Sequence, residues 1–376
     1  MRKTFKYRIS PTKAQRTSLN QTLETCRQVY NSTLNSRRSS WEQERKSLSL
    51  YDTNKELTGW KANNPELSEV HSQVLQNVQE RVDLAYKAFF RRIREGHKNG
   101  FPRYKGFGRY DSFTFKQSGF ELKDSRLYLS KIGNVKIILH RPIEGTIKTL
   151  TVQRDRLGNW YVCFSCESPP KPLPISGLAV GVDLGLTTFL TLSNGATIAN
   201  PRFFRKEEKA LAKAQRKLSK QANGTPERRK AKKVVAHIHN RIANKRCDFA
   251  HKESRRLVNQ YGFIAFEDLN INGMVQNHCL AKSISDVAWN QLVQFTAAKA
   301  EEAGRVVVQV DPRNTTKMCS RCGMLVEKTL SERVHKCPHC SLEMNRDLNA
   351  SINILRIGLD AVGIKSVEAP LFQRGE

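Results

Sequence analysis

Four cysteines near the C-terminus, Cys319, Cys322, Cys337 and Cys340, form two Cys-x-x-Cys pairs separated by a polar stretch of ribbon size. Four thiolates so spaced can close a tetrahedral shell, the geometry Zn²⁺ favours. Directly behind the last cysteine runs Asn-Arg-Asp-Leu-Asn-Ala-Ser-Ile-Asn-Ile-Leu, which carries Asp347. Two more acids end apolar, strand-like runs: Asp183 in Leu-Ala-Val-Gly-Val-Asp and Glu267 in Phe-Ile-Ala-Phe-Glu. An isolated Asp on a strand is ordinarily a solvated edge or turn residue. Asp183 differs, because its apolar neighbours should be buried on both sides, and a buried carboxylate without a partner is costly. A bound cation is the natural resolution. Three such acids meeting at one point can hold Mg²⁺, expected as two ions, for in-line phosphodiester cleavage.

Other chemistry-bearing residues are weaker. Asp268 is an alternative to Glu267, since strand period alone does not say which faces the site. Asp311 reads as a cap for the turn before Pro312. Cys163 and Cys166 also form a Cys-x-x-Cys, but within an alternating strand their side chains should point to opposite faces. His335 and His339 flank the second cysteine pair, whose shell four thiolates already complete. Cys26, Cys247 and Cys279 stand singly and receive no role.

The elements that must position these residues follow from periodicity. Residues 3–9 alternate as a strand, and Thr12 with Gln15 forms a capping box that opens a helix. A second helix is expected over about 68–94, with residues 36–67 between them as loop with partial helix. From 113 to 167 short alternating runs predict a β-rich module, expected as a small barrel. The stretch 169–177, Pro-Pro-Lys-Pro-Leu-Pro-Ile-Ser-Gly, reads as a linker and domain boundary. Beyond it three strands, a long helical block (about 203–258), a strand, a helix capped by Ser285 or Asp286 and closed by Gly304, and another strand precede the cysteines. A final helix follows them. That β-β-β-α-β-α-β order is the one an RNase H-like fold requires.

Charge narrows the partners. The chain of 376 residues has a formal net charge of +29, which points to a polyanion and to nucleic acid before a membrane surface. Residues 202–256 hold 19 Lys or Arg against 5 acids. A solvated face is the ordinary reading of a charge run, but so large an imbalance would self-repel without phosphates to contact. In 101–117, Arg103, Lys105, Arg109 and Lys116 interleave with Phe101, Tyr104, Phe107 and Tyr110, a pattern suited to phosphates and stacked bases. With no transmembrane span, no secretory signal and no paired cysteine framework, a soluble cytoplasmic protein is expected.

Taken together the motifs resemble the TnpB family, RNA-guided nucleases encoded by insertion sequences and related to type V CRISPR effectors. The resemblance covers nearly the whole chain through YRISPTKAQ, CRQVYN, SQVLQNVQERVDLAYKAFF, FPRYKGF, GVDLG, HNRIANKRCDFAHK, FEDLNINGM, VDPRNTTKMCSRCG, CPHC and NRDLNASINIL. They are specific in combination and in order, although GVDLG or Cys-x-x-Cys alone would be weak. The resemblance implies a RuvC-type triad of Asp183, Glu267 and Asp347, which would require Mg²⁺. It implies one structural Zn²⁺ on the four ribbon cysteines, and a guide RNA and a double-stranded DNA target as partners of a monomeric ribonucleoprotein. It also implies a multidomain α+β organisation: a wedge-like β-barrel (1–10 and 101–170), a helical recognition insert (11–100), an RNase H-like RuvC nuclease (177–318 and 341–366), a zinc ribbon (319–340) and a tail (367–376). On the same basis Gln76 and Gln117 are candidates for reading base edges beside the target. From the charge of 202–256, Arg241, Lys245 and Lys252 are expected to contact phosphates. A compact CRISPR-associated effector, a DDE-type transposase and a non-catalytic zinc-ribbon regulator are the alternatives.

Overall fold

The computed structural model describes residues 1–98, 100–329 and 332–363, so the expected tail at 367–376 lies outside the described residues. The chain divides into two compact units after Pro169, inside the proline-rich stretch.

In the first unit, alternation in β1 (Arg2–Ser10) buries Phe5, Tyr7 and Ile9 on one face. Six strands follow a helical interval: β2 (Ser112–Phe115), β3 (Phe120–Lys123), β4 (Arg126–Leu129), β5 (Gly133–Ile138), β6 (Thr146–Arg154) and β7 (Trp160–Glu167). They form one antiparallel sheet in the order β2-β6-β7-β1-β5-β4-β3. Its two edge strands, β2 and β3, are consecutive in the chain and joined only by residues 116–119. At ~4.8 Å per strand a flat seven-stranded sheet would separate its edges by about 29 Å. The short link can span no more than roughly 18 Å. The sheet therefore curls into a near-barrel, and Phe115 meets Phe120 edge-on at 6.3 Å. Among the described residues no ladder joins β2 to β3, so the expected barrel stays open there.

Three helices intervene between β1 and β2: α1 (Lys13–Glu44), α2 (Leu50–Asn63) and α3 (Ser72–Arg94). The Thr12–Gln15 capping box opens α1 as expected. Residues 36–67 are more helical than expected, because α1 runs on to Glu44 and α2 has its own capping box of Ser49 and Asp52. Its apolar periodicity is weak, with only Thr53 and Leu57 buried, and that is why the segment reads as loop. The next helix starts at Ser72 rather than 68, since Pro65–Glu69 forms a 3₁₀ turn.

The second unit is built on β8 (Ala179–Leu184), β9 (Thr188–Leu192), β10 (Thr197–Ala199), β11 (Phe263–Glu267) and β12 (Val306–Val310), in the order β10-β9-β8-β11-β12. The strands β8, β11 and β12 are parallel, while β9 and β10 run antiparallel. The helices are α4 (Phe203–Ser219), α5 (Pro226–Gln260), α6 (Ile271–Met274), α7 (His278–Val287), α8 (Trp289–Ala303) and α9 (Arg346–Ala361). Leu257 and Val258 of α5 and Leu292 and Val293 of α8 cover one sheet face against Val180, Val182, Ile264 and Phe266. Ile354 and Leu359 of α9 cover the other against Phe263, Ala265 and Val310. The helical block 203–258 is two helices, since Thr225 caps a new one that starts at Pro226. Gly304 ends α8 in a left-handed conformation as expected, but the helix does not begin at Ser285 or Asp286. Ala288, at φ 56°, breaks α7 from α8 instead. The Asp286 carboxylate has other partners: it accepts from Phe204 N–H at the start of α4 (2.9 Å) and from Arg246 of α5 (2.7 Å). Among the described residues no helix is long and apolar enough to cross a membrane.

Candidate functional site

Strand period explains how two of the acids come together. Along β8, Val180, Val182 and Leu184 turn toward α5 and α8, which leaves Ala179, Gly181 and Asp183 on the face that α9 covers. Along β11, Phe263 and Ala265 share that face, and Glu267 follows them by the same period. The parallel register pairs Ala265 with Gly181 and Phe266 with Val182, so Glu267 stands one position on, beside Asp183. Asp183 and Glu267 are buried at 8% and 7% exposure, whereas Asp268 is exposed. Asp347 lies in the first turn of α9, whose Asn345 cap accepts from its N–H at 2.9 Å.

The electrostatics of this corner are those of crowded carboxylates. Burial, then the charges of Glu267 and Asp347, push the Asp183 carboxyl well above its ordinary range, with only Arg346 and a backbone N–H opposing. Burial also raises Glu267, opposed by Thr315, whose hydroxyl donates to Glu267 Oε1 at 2.5 Å. Arg346 pairs with Asp347 at 3.2 Å. A cation would relieve this repulsion and favour the ionised forms of Asp183 and Glu267, so the residues fit a divalent metal. They are not drawn as tight as the thiols: among the described residues, the cysteine cluster is the one group of three or more ligand-type side chains within 4.8 Å of one another. Asp311 takes no part, since its carboxylate caps its own turn by accepting from Arg313 N–H at 2.9 Å.

The four cysteines do converge. Cys319 and Cys340 sulfurs are 3.5 Å apart, and those of Cys322 and Cys337 are 3.6 Å apart. Those separations far exceed an S–S bond of about 2.05 Å. They approach the ~3.8 Å edge of a tetrahedron with Zn–S bonds of about 2.3 Å. Each pair is followed by a left-handed residue, Gly323 (φ 77°) and Ser341 (φ 57°), which turns the chain back over the sulfurs. Burial acts to raise the Cys337 thiol, but the N–H groups of Cys340 and His339, together with the Cys322 and Cys340 thiols, lower it to about 6. The hairpin of β13 (Val334–Lys336) and β14 (Glu343–Asn345) carries the second pair, so the ribbon extends to Asn345, past the expected end at 340. His335 is buried against Lys328 and is not one of the clustered ligands. Cys163 faces outward from β7 while Cys166 is in the core, so they do not form a second site.

The basic candidates have partners. On α5, Arg241 and Lys245 both reach Glu207 of α4, at 3.5 and 3.1 Å, and Lys252 pairs with Asp248 at 2.7 Å. In the first unit, Asn31 of α1 holds the backbone of Lys105 by both its N–H (2.8 Å) and its carbonyl (3.0 Å). Arg103 and Arg109 are exposed beside it. Phe107, at 85% exposure, is free to stack, whereas Tyr110 is core. Gln76 and Gln117 are both exposed and share one surface. Gln73 accepts from the N–H groups of Gln117 and Ser118 at 3.0 and 3.1 Å, and Glu80 pairs with Lys116 at 2.7 Å. Gln76 lies between Gln73 and Glu80 on that helical stripe.

Comparison with known proteins gives these features a family. A protein of Streptomyces pristinaespiralis named as an RNA-guided DNA endonuclease is 37% identical over 96% of this chain and 90% of its own length. Residues 161–278 match the OrfB family of IS605, described as "Probable transposase". The chain belongs to the TnpB family. The RNA-guided DNA endonuclease InsQ of Escherichia coli K12 is 29% identical over 94% of this chain and 92% of its own. Residues 289–354 match the TNB domain of Cas12f1-like proteins, a span that holds all four cysteines and Asp347. Residues 1–46 match a model described as a helix-turn-helix domain, although here they form a strand and one unbroken helix of 32 residues. Among solved structures, a Cas12f1–sgRNA–target DNA complex shares the fold, with a TM-score of 0.59 at 14% identity over 89% of this chain and 81% of that one.

Sequence reasoning missed several residues of this family member that the structure brings to the site. Thr315 contacts Glu267. Asn349 and Asn353 of α9 bind the carbonyls of Thr315 and Met318 that lead into the first cysteine. The spacing of Asn345, Asn349 and Asn353, one every four residues, is the signal that could have found the last two.

Proposed function

We propose that this chain is an RNA-guided DNA endonuclease that hydrolyses phosphodiester bonds at one RuvC-like site formed by Asp183, Glu267 and Asp347. The observation that carries this reading is the burial of Asp183 beside Glu267, with its carboxyl raised first by that burial and then by the charges of Glu267 and Asp347. Such an arrangement is unfavourable in the free protein and favourable around a cation. Divalent metal, expected as Mg²⁺, would activate water and offset charge on the leaving oxygen when bound. The three carboxylates would hold it, and Arg346 beside Asp347 is placed to balance charge near a phosphate. The ribbon cysteines would hold one structural Zn²⁺, as their tetrahedral spacing supports.

Both of these relatives are named RNA-guided DNA endonucleases, which supports a guide RNA and a DNA target as the partners of this chain. The RNA is proposed to derive from a transposon end and the target to be double-stranded. Base pairing would read the target, leaving the protein a short adjacent motif to recognise. Gln76 and Gln117 on their shared surface are the residues proposed to read it. Arg103, Lys105 and Arg109, with the basic helices α4 and α5, would hold phosphates. The resulting ribonucleoprotein is proposed to be monomeric.

The test is replacement of Asp183, Glu267 or Asp347 by Ala in the RNA-bound protein. Each variant should lose cleavage while keeping guide and target binding. Substantial cutting by two of the three would remove the triad assignment.

A further inference from the structure

We propose that Thr315 is a positioning residue for the cleavage reaction: it orients Glu267 by one hydrogen bond and is itself clamped by α9 and the first cysteine pair. The inference rests on the reading that Asp183, Glu267 and Asp347 form the cutting site.

Thr315 is 1% exposed, in the segment between β12 and Cys319. Its hydroxyl oxygen lies 2.5 Å from Glu267 Oε1 and 3.1 Å from the Pro312 carbonyl. A hydroxyl has one proton, and an ionised carboxylate only accepts. The shorter contact therefore takes the proton, since two lone pairs at that distance would repel. Among the described residues no other side chain or backbone group hydrogen-bonds the Glu267 carboxylate, so this one contact fixes how it turns.

The backbone that carries Thr315 is held on both sides. Asn353 Nδ2 donates to the Thr315 carbonyl at 2.9 Å and to the Met318 carbonyl at 2.7 Å. Asn349 Nδ2 donates to Met318 O at 2.8 Å, and its Oδ1 accepts from Ser320 N–H at 2.9 Å, inside the first Cys-x-x-Cys. Both asparagines are fully buried. They lie on the helix that carries Asp347, so one rigid element positions one acid directly and a second through Thr315. The same clamp fixes the entry to the ribbon, which makes ribbon folding and Glu267 orientation parts of one structure. Hydrogen-bond partners of metal-binding side chains typically change affinity or activity by 10- to 100-fold when removed.

Thr315→Val keeps the volume and removes the hydroxyl; Thr315→Ser keeps the hydroxyl. Both are compared with wild type and with Asp183→Ala by three measurements: single-turnover cleavage across Mg²⁺ concentrations in the RNA-bound protein, target binding, and calorimetric Mn²⁺ binding to the zinc-loaded full chain. Thr315→Val should cut about 10- to 100-fold more slowly and need more Mg²⁺, and its Mn²⁺ affinity should fall by a similar factor with target binding unchanged. Thr315→Ser should recover to within a few-fold of wild type. Should valine disturb the fold, seen as lost zinc, the serine variant and a Thr315→Ala variant carry the same comparison. Wild-type Mn²⁺ affinity and cleavage in Thr315→Val would overturn the inference, and so would equal damage by valine and serine. If Asp183→Ala and one of the Glu267→Ala and Asp347→Ala variants still cut, the site assignment itself fails. If they are inactive while Thr315→Val is normal, only the role of Thr315 fails.

Discussion

Gly181 lies so close to Ser351 that a Cβ on the glycine would sit 2.0 Å from the Ser351 carbonyl oxygen. The two belong to β8 and α9, and the same added carbon would meet Leu355 N at 2.5 Å. At the other end of the helix, a Cβ on Gly358 would fall 2.7 Å from Ala265 Cβ of β11. Two glycines, one on the sheet and one on the helix, thus let α9 settle directly onto β8 and β11. Asp183 is two residues beyond Gly181, and Asp347 is four before Ser351. The close crossing is therefore what sets the distance between those two acids.

Gly181→Ala should displace α9, because the clash is with backbone and no rotamer change relieves it. Overpacking of this kind costs roughly 1–3 kcal/mol. For a unit of this size that corresponds to a fall of about 2–4 °C in melting temperature per kcal/mol. Cleavage should fall further than stability alone explains, since Asp347 moves with the helix. An unchanged melting temperature in calorimetry would show that the helix gives way without cost.

Much of this was legible beforehand, and the limits have physical reasons. Alternation and apolar runs marked the strands of both units, and Thr12 with Gln15 marked the first helix, because those signals are local. The identity of the inward acid at the end of β11 was not, because Glu267 and Asp268 differ only in which face α9 covers. That choice is made by tertiary packing. The break at Ala288 was equally hidden, since no Gly or Pro announces it and Asp286, the obvious cap, serves α4 and Arg246.

The cysteine cluster should be structural. Cys319→Ala or Cys340→Ala should release about one Zn²⁺ per chain and unfold the hairpin of β13 and β14, because so small a core of Cys319, Cys337 and Leu342 takes its folding energy from the metal. Metal analysis of the purified wild-type protein is the first check, and finding no zinc would end this reading. Replacing Cys163 or Cys166 should leave the zinc content unchanged.

Lys299 gives the second unit a pH dependence of known sign. Burial first, then the charge of Arg255, lowers its ammonium to about 8. In the unfolded chain it returns to its ordinary 10.5. Between those values the unfolded chain holds a proton that the folded one has released, so stability rises with pH across that window. Compared with Lys299→Met, the wild type should gain stability as pH goes from about 8 to about 10. Lys299 is partly exposed, so solvent reduces the size of the effect but not its direction. Parallel denaturation curves for the two proteins at all pH values would rule it out.

The basic helices lead to the last expectation. Arg241, Lys245, Asp248 and Lys252 form one stripe of α5, and Glu207 of α4 takes the first two cations. Exposed pairs of this kind are worth about 0–1 kcal/mol, so a phosphate can replace the carboxylates at little cost. Neutralising Arg241, Lys245 and Lys252 together should weaken binding alike for every target sequence. It should also flatten log affinity against log salt by roughly 0.7–0.9 for each phosphate that is no longer neutralised. Glu207→Gln should do the opposite, since it frees two cations already held at the surface. A salt slope untouched by the triple change would mean that the stripe only solvates the helix, its charge already spent on Glu207 and Asp248. A change in sequence preference would place the base-reading surface on α5 rather than near Gln76 and Gln117.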